Sequence, residues 1–537
     1  MKRTIFLLAA VSALALTSCR PQSDDLLSYG QNDVQAFYDA NNSFAGEFKT
    51  FWTAINENYG IWDYEESFGT DWDAVYRTYL PKFEELDKRK NKVTDDELKD
   101  LYQQITDTLH DGHLSMAIKN LHTGKYINLN PNTRRVERER WQEWEDLSNN
   151  RTDLHLYLTP EAGAYQVKEY DAASSNTIVY ALIDTTLTHA VQAVDAYIAM
   201  VDAAGGPNST NDSVYAAAQL LKTDAEEILT IMHTASNAIL TSWKSVIVGK
   251  YKKIYDKYAF VGKQTGVTIL PVEGELNEDI LGSIEYALFD GNIAYMRLGG
   301  FGLTLHFDSA YQTKDSASMY FAYQQAVKRT WQRWFDAIQV HHKAGDLGGI
   351  IIDVRHNSGG AVPDYQWVVG ALLPSGGWHS HTLRMKNGIG RLDYGPLTPF
   401  NMQTYKGEHE VINDRPIVVL ANCKSISMAE NTTYGVKAQP NGCFIGTRTY
   451  GGLSALAPDP ENYSDNYSGA FGVSGVTPVY GYVPKFIGLY PNENGDSRIV
   501  EGYGFEPDIE CPLDVNLWQT QGRDNQLEKA VDYIHAK

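Results

Sequence analysis

The sequence predicts an α/β protein, because its C-terminal half alternates short apolar runs with amphipathic stretches of helical period. That grammar lays a parallel sheet beneath crossover helices. Two runs carry the expectation: Gly349-Ile350-Ile351-Ile352-Asp353-Val354 and Pro416-Ile417-Val418-Val419-Leu420-Ala421. Each is too short for a helix and too uniformly apolar for a half-exposed strand, so each reads as a strand buried on both faces. Asn292 to Leu298 reads as an earlier strand and Phe444-Ile445-Gly446 as the start of a later one. Helical spacing covers Ser316 to Ala344, Tyr365 to Leu373 and Met428 to Lys437. These elements define a core over 286–537, in which the loops at the carboxyl ends of the strands are expected to carry the chemistry.

At the other end, Lys2 and Arg3 precede an apolar run from Ile5 to Leu16 and then Leu16-Thr17-Ser18-Cys19. The run is too short to span a bilayer and reads as an export signal over 1–18. Small residues before a cysteine resemble the lipobox of bacterial lipoproteins, which implies acylation of Cys19 and a membrane tether rather than insertion. Polar residues from Arg20 continue as a flexible leash over 19–30, and the acidic pair Asp24-Asp25 resembles surface-export signals of Gram-negative lipoproteins. The expected location is the cell envelope of such a bacterium, anchored to the outer membrane. A chain of 537 residues is too long for one core, so two or three domains are expected. Its net charge of -21 argues against nucleic acid or an anionic membrane surface as partner.

Besides Cys19 the chain has Cys423, Cys443 and Cys511, none in a CxxC or a Cys/His spacing, so no zinc site is expected. A Cys423–Cys443 bridge across one predicted helix is one reading, and buried free thiols are the other.

Residues 31–120 read as an N-terminal helical domain. Its best-defined helix starts at Thr94, where Thr94 and Glu97 form a capping box, and Leu98, Leu101, Tyr102, Ile105 and Leu109 share a face. Leu109-His110-Asp111-Gly112-His113 ends it, with Gly112 able to turn left-handed and swing His113 off the axis. Residues 121–285 form a variable, largely helical middle region. In it Tyr165 to Ile183 alternates as strands do, and Thr185 to Lys257 is helical, interrupted by the turn Ala204 to Asn211.

Ser427 stands between a buried strand and a helix, where a hydroxyl projects at the sheet edge into the positive potential of the helix N-terminus. Its spacing to Glu430 also fits a simple capping box, and Ser425 is a competing hydroxyl. A second strand-loop pair, Asp353-Val354-Arg355-His356-Asn357-Ser358-Gly359-Gly360, has consecutive glycines that free the backbone to aim amides into a cavity. Gly359 and Gly360 amides, with that of Met428, suit an oxyanion hole. Asp353 and Arg355 read as an ion pair holding the loop, and His356 as a site-lining or structural residue.

Taken in order, Leu109 to His113, Gly348 to Gly360, Ser425 to Glu430, Ile445 to Gly452 and Glu501 to Ile509 resemble the tail-specific, or C-terminal processing, serine peptidase family. The resemblance implies a crotonase-like core, action on peptide bonds near protein C-termini, and Ser427 as nucleophile in place of Ser425. Bacterial members use a lysine base in a Phe-Gly-Lys-Gly stretch; Tyr450-Gly451-Gly452-Leu453 puts Gly452 at that position, and a glycine cannot be a base. The chain instead resembles the tricorn-like branch, which implies His113 as base and Glu501 as its orienting carboxylate. His110 is the rival base, and Glu506 the rival carboxylate in a turn expected to face solvent. His110, Asp111 and His113 fit no zinc signature, and no metal or organic cofactor is implied.

The expected function is therefore an exported serine peptidase acting on polypeptides through a Ser-His-Glu triad. A catalytically inactive peptide- or ligand-binding lipoprotein of the same fold is the alternative from another class, and an esterase or amidase would share the site.

Overall fold

The computed structural model describes residues 39–151, 166–173, 175–234, 246–258, 261, 283–314, 319–454, 470–471, 477–484, 486–492 and 494–537. The export signal and Cys19 lie outside the described residues. Along the chain come α1 (Phe44–Asn58), α2 (Trp62–Ser67), α3 (Trp72–Lys88), α4 (Asp95–Thr106), β1 (Ser115–Lys119), β2 (Tyr126–Leu129), α5 (Pro131–Glu139) and α6 (Trp141–Asn149). Then follow β3 (Val167–Ala173), α7 (Ser175–Ala203), α8 (Asp212–Thr234) and a helix over 246–258. The next elements are β4 (Ile284–Phe289), β5 (Ile293–Leu298), α9 (Met319–Ala344), β6 (Gly349–Asp353), β7 (Trp378–Met385), β8 (Thr398–Met402), β9 (Ile417–Ala421), α10 (Met428–Lys437) and β10 (Gly442–Gly446). The last are β11 (Ala470–Phe471), β12 (Val479–Tyr482), β13 (Phe486–Pro491), β14 (Ser497–Arg498), β15 (Ile509–Glu510), α11 (Val515–Gln521) and α12 (Asn525–His535).

These elements form two compact units, each made of separated stretches of chain. The first comprises residues up to 139, with 381–399 and 452–502; the second comprises 140–380, 400–451 and 503–537.

In the first unit α1 to α4 bury an aromatic core. Phe48 stacks on Phe83 at 4.5 Å between centroids and Phe51 meets Tyr102 edge-on at 5.1 Å. Such pairs add about 0.5–1.5 kcal/mol each beyond the area they bury. The Thr94 cap forms as its sequence predicts, with the hydroxyl accepting the Glu97 N–H at 3.2 Å. A small sheet ordered β11-β12-β1-β2 lies in the same unit, β1 pairing antiparallel with both neighbours. Strand β13 pairs antiparallel with β7 and β14.

The second unit is built on a seven-stranded sheet ordered β15-β10-β9-β6-β5-β4-β3. From β5 to β15 the pairs are parallel, as the crossover grammar predicts, whereas β3, β4 and β5 pair antiparallel at one edge. The two runs that predicted the sheet occupy its centre as β6 and β9, every residue of each buried. Ile351, Val418, Leu420 and Ile445 pack with Leu527, Val531 and Ile534 of α12. Each such side chain contributes about 1.5–3 kcal/mol when fully buried.

Two local expectations are corrected, and one of the two readings of the cysteines is set aside. The strand expected from Tyr165 to Ile183 ends at Ala173, because Val179, Ile183, Leu187 and Val194 are spaced to line a helix face, and they are buried as part of α7. The helix expected from Tyr365 to Leu373 is two short 3-10 turns, Val362–Trp367 and Val369–Ala371, broken at Val368 with φ -114° and ψ -99°. Cys423 and Cys443 are free. Cys443 faces Val418 in the strand register while Cys423 lies beyond the far end of β9, roughly 15 Å along the strand direction, too far for the 4–7 Å between Cα atoms that a bridge needs. The turn between α7 and α8 falls where the sequence puts it, over 204–211.

Candidate active site

In the second unit, β9 ends at Ala421 and the chain reaches α10 through Ser427, the N-cap of that helix. An ordinary cap has extended backbone, as Ser43 at φ -143°, Asp71 at -104°, Thr94 at -83°, Asp514 at -81° and Asp524 at -100° do. Ser427 stands at φ 58° and ψ -115°. A side chain beyond Cβ is strained there by about 1–3 kcal/mol, and a cap alone does not require it. A sharp strained turn between strand and helix is how a fold exposes a nucleophile.

The surroundings hold that turn in place. The Ser427 N–H donates to Glu430 Oε2 at 3.1 Å, while Glu430 Oε1 accepts from the Gly451 N–H and the Thr449 hydroxyl, both at 2.7 Å. Glu430 is buried, so the capping box of the sequence is also the strap that ties the Ser427 backbone to the loop after β10. The Ile426 N–H donates to the Asn357 carbonyl at 2.9 Å, joining the two strand-end loops. Ser425 is buried with its hydroxyl donating to the Val354 carbonyl at 2.8 Å and accepting from the Asn422 N–H at 3.0 Å. Its hydroxyl is a stitch between β6 and β9, whereas Ser427 is only half-buried.

The glycine pair packs directly on the serine. A Cβ on Gly359 would lie 2.6 Å from Ser427 Cβ and 3.1 Å from the Met428 nitrogen, at φ 96°. The Gly359 amide, however, is not an oxyanion donor: it donates to Asn357 Oδ1 at 2.8 Å. The asparagine side chain reaches two residues forward, a local turn that takes up the N–H. Its amide group also donates to the Leu298 carbonyl at 2.9 Å, fixing the loop to β5. The Gly360 and Met428 N–H groups donate to nothing among the described residues. Gly360 is exposed and φ 136° there admits no side chain, since a Cβ would meet the Phe301 carbonyl oxygen at 2.0 Å.

Behind this loop Asp353 and Arg355 are fully buried and paired, Arg355 Nη2 lying 2.6 Å from Asp353 and 2.7 Å from Asp524. Burial pushes the Asp353 carboxyl upward, but the Arg355 guanidinium outweighs it and holds the group below the usual range. The expected ion pair is thus a three-membered network. His356 has φ 60° at the turn beside it.

His113 and Glu501 belong to the first unit. Helix α4 ends at Thr106, and the turn to His113 is made by a side chain, not by glycine: Gly112 is absent from the glycines at positive φ. Asp111 Oδ1 accepts the N–H of His113 at 2.8 Å and of Leu114 at 2.9 Å. An aspartate two residues before the histidine is a legible turn signal that the glycine obscured. His113 is half-buried, and burial pulls its imidazole down to about 4. Its Nδ1 is buried and has no hydrogen-bond partner among the described residues.

Glu501 is 2% exposed, and its carboxylate is bound by backbone amides: Gly112 at 2.7 Å on one oxygen, Leu453 at 2.9 Å and Ser454 at 2.8 Å on the other. It therefore holds the residue next to His113 in place rather than the imidazole Nδ1. Gly452 precedes the two residues, Leu453 and Ser454, that supply two of those amides. The rivals have other partners. His110 Nδ1 lies 2.8 Å from the buried Glu65 carboxylate, with Phe68 stacked at 4.0 Å, and Glu506 is exposed, accepting the Tyr503 hydroxyl at 2.5 Å. Among the described residues no cluster of His, Cys, Asp or Glu could hold a metal ion.

Residues 292–511 match the model of peptidase family S41. The chain is 26% identical over 193 residues to the tricorn protease of Thermoplasma volcanium, a match covering 35% of this chain and 15% of that protein. It therefore spans about a seventh of the length of that relative. Among solved structures, a candidate peptidase from Parabacteroides merdae ATCC 43184 is 14% identical at a TM-score of 0.45, over 92% of this chain and 96% of that one. Mature CPAF is 11% identical at a TM-score of 0.41, with the same coverages of 92% and 96%.

Proposed function

We propose that this chain, which carries a peptidase family S41 domain over residues 292–511, is a serine peptidase that cleaves polypeptides through an acyl-enzyme. The observation that carries the reading is Ser427, held at φ 58° at the N-terminus of α10, with the open Met428 amide next to it and the Gly359 backbone packed on its Cβ. Its hydroxyl oxygen attacks the scissile carbonyl while His113 takes the hydroxyl proton. The C–N bond then breaks as the proton passes to the leaving amine, and water repeats the sequence to free the acyl group. Imidazole at neutral pH is unprotonated, which the lowered His113 value favours, and so is ready to act as base. The Met428 and Gly360 amides stabilise the oxyanion; Gly359 supplies shape and Asn357 fixes it. Glu501 acts as the anchor of the His113 turn, completing a Ser-His-Glu set on a crotonase-like core.

We further propose that the enzyme is exported and tethered through acylated Cys19, facing substrates in a bacterial cell envelope. The match to a peptidase family favours polypeptides over small esters.

A fluorophosphonate probe tests the reading. Labelling of the full chain that is lost in Ser427→Ala and in His113→Ala, with matching loss of peptide turnover, is the expected result. Absence of labelling in the intact protein would sink it and favour a binding protein of the same fold.

A further inference from the structure

With both Glu501 oxygens engaged by the amides of Gly112, Leu453 and Ser454, the buried His113 Nδ1 has no partner among the described residues. A second carboxylate in the same unit is half engaged. Asp111 is fully buried, and its Oδ1 sets the backbone of His113 and Leu114. Its Oδ2 is buried with no hydrogen-bond partner among the described residues. Buried carboxylate oxygens are rarely left so, because the charge is costly without a counter-ion.

The neighbours of Asp111 explain how it is tolerated. Glu65 of α2 accepts the Tyr59 hydroxyl at 2.5 Å and the His110 N–H at 2.6 Å, and its other oxygen faces His110 Nδ1. The Tyr59 oxygen accepts the Asp111 N–H at 3.1 Å. Arg135 of α5 donates to the Leu109 carbonyl at 2.9 Å and the Gly502 carbonyl at 3.1 Å. Burial first, and then repulsion from Glu65, raise the Asp111 carboxyl to about 7 against the two amides and Arg135. The group is therefore poised to ionise at the pH where a peptidase works.

We propose that Asp111, rather than Glu501, is the carboxylate that supports charge on His113: a positioning residue whose Oδ1 fixes the histidine backbone and whose open Oδ2 serves as counter-ion when the imidazole takes the Ser427 proton. This rests on the hydrolase reading of Ser427 and His113. The proton moves from hydroxyl to imidazole as the Oγ–C bond forms and leaves with the amine as the C–N bond breaks; Asp111 gains and loses none in the cycle. Glu501 keeps the turn in place and Asp111 supplies the charge.

The rate of fluorophosphonate labelling of the full chain between pH 5 and 9 reads this out. Asp111→Asn keeps an acceptor for both amides, Asp111→Ser keeps a shorter one, and both remove the ionising oxygen. The wild type is expected to show an acid limb near pH 7, where Asp111 ionises. Both variants are expected to label at least tenfold more slowly at pH 8 and to lack that limb. Wild-type rates in either folded variant, persistence of the limb in them, or a wild-type limb below pH 5 would overturn the proposal. Intact Ser427-dependent labelling with an unchanged Asp111→Asn profile removes this proposal alone. Labelling of the wild type no faster than of Ser427→Ala removes the hydrolase reading and this proposal with it.

Discussion

Replacing Glu501 by glutamine separates an anchor from a proton relay. The carboxylate accepts the Gly112 amide on one oxygen and the Leu453 and Ser454 amides on the other, all between 2.7 and 2.9 Å. A glutamine keeps the first contact and turns an NH2 group toward two N–H donors. A hydrogen bond to an ionised acceptor contributes about 1.5–3 kcal/mol, so losing two, with partial relaxation of a buried loop, costs about 4 kcal/mol. In a unit of about 200 residues that lowers Tm by roughly 8–16 °C. Differential scanning fluorimetry at pH 7.5 measures it directly, with Glu506→Gln as a surface control expected to change little. A shift under about 2 °C in Glu501→Gln would refute the reasoning, since a buried carboxylate holding three amides cannot be replaced at so small a cost.

Other sites give further expectations. Gly359→Ala puts a methyl 2.6 Å from Ser427 Cβ at φ 96°, so labelling should fall at least a hundredfold, with a loss of about 2–4 kcal/mol in denaturant titrations. Glu430→Gln releases the strap on Ser427 and should slow labelling tenfold or more, while leaving the far-UV spectrum unchanged. The Asp111 carboxyl titrates near 7 folded and near 3.9 unfolded, so its contribution to stability is full below about pH 4 and is lost as pH rises to about 7. Asp111→Asn should flatten that decline in Tm across pH 5–7. The Cys423 and Cys443 thiols are free and buried, so a thiol reagent should react slowly until the protein unfolds, and reductant should leave Tm unchanged.

What the sequence made legible was what hydrophobic pattern alone decides. Strands β6 and β9 are buried on both faces, so their apolar runs had one reading, and the helix starting at Met428 followed from its cap. Patterns that two geometries share were misread: Val179 and Ile183 satisfy both alternation and helical spacing, and the partner helix α8 decided between them. At the site, residue types were visible but hydrogen-bond allocation was not. Asn357 takes the Gly359 amide and Glu501 takes that of Gly112, because short polar side chains seize the nearest backbone donor, and no spacing rule records which one is nearest. Asp111 was passed over for the same reason, its turn credited to the glycine that follows it.

Strand β1, two residues after His113, pairs Ser115 with Tyr482 of β12. The two residues are separated by more than 360 positions, so at about 5–20 residues per second the ribosome leaves β1 without that neighbour for roughly 20–70 s. Glu501 is made later still. The nucleophile's own sheet waits longer still, because β15 and the packed helix α12 follow Glu501 in the chain. A chain cut short before β12 would have Ser427 but would lack β12, the Glu501 anchor and the edge strand β15, so under the proposed function both halves of the site fall silent together.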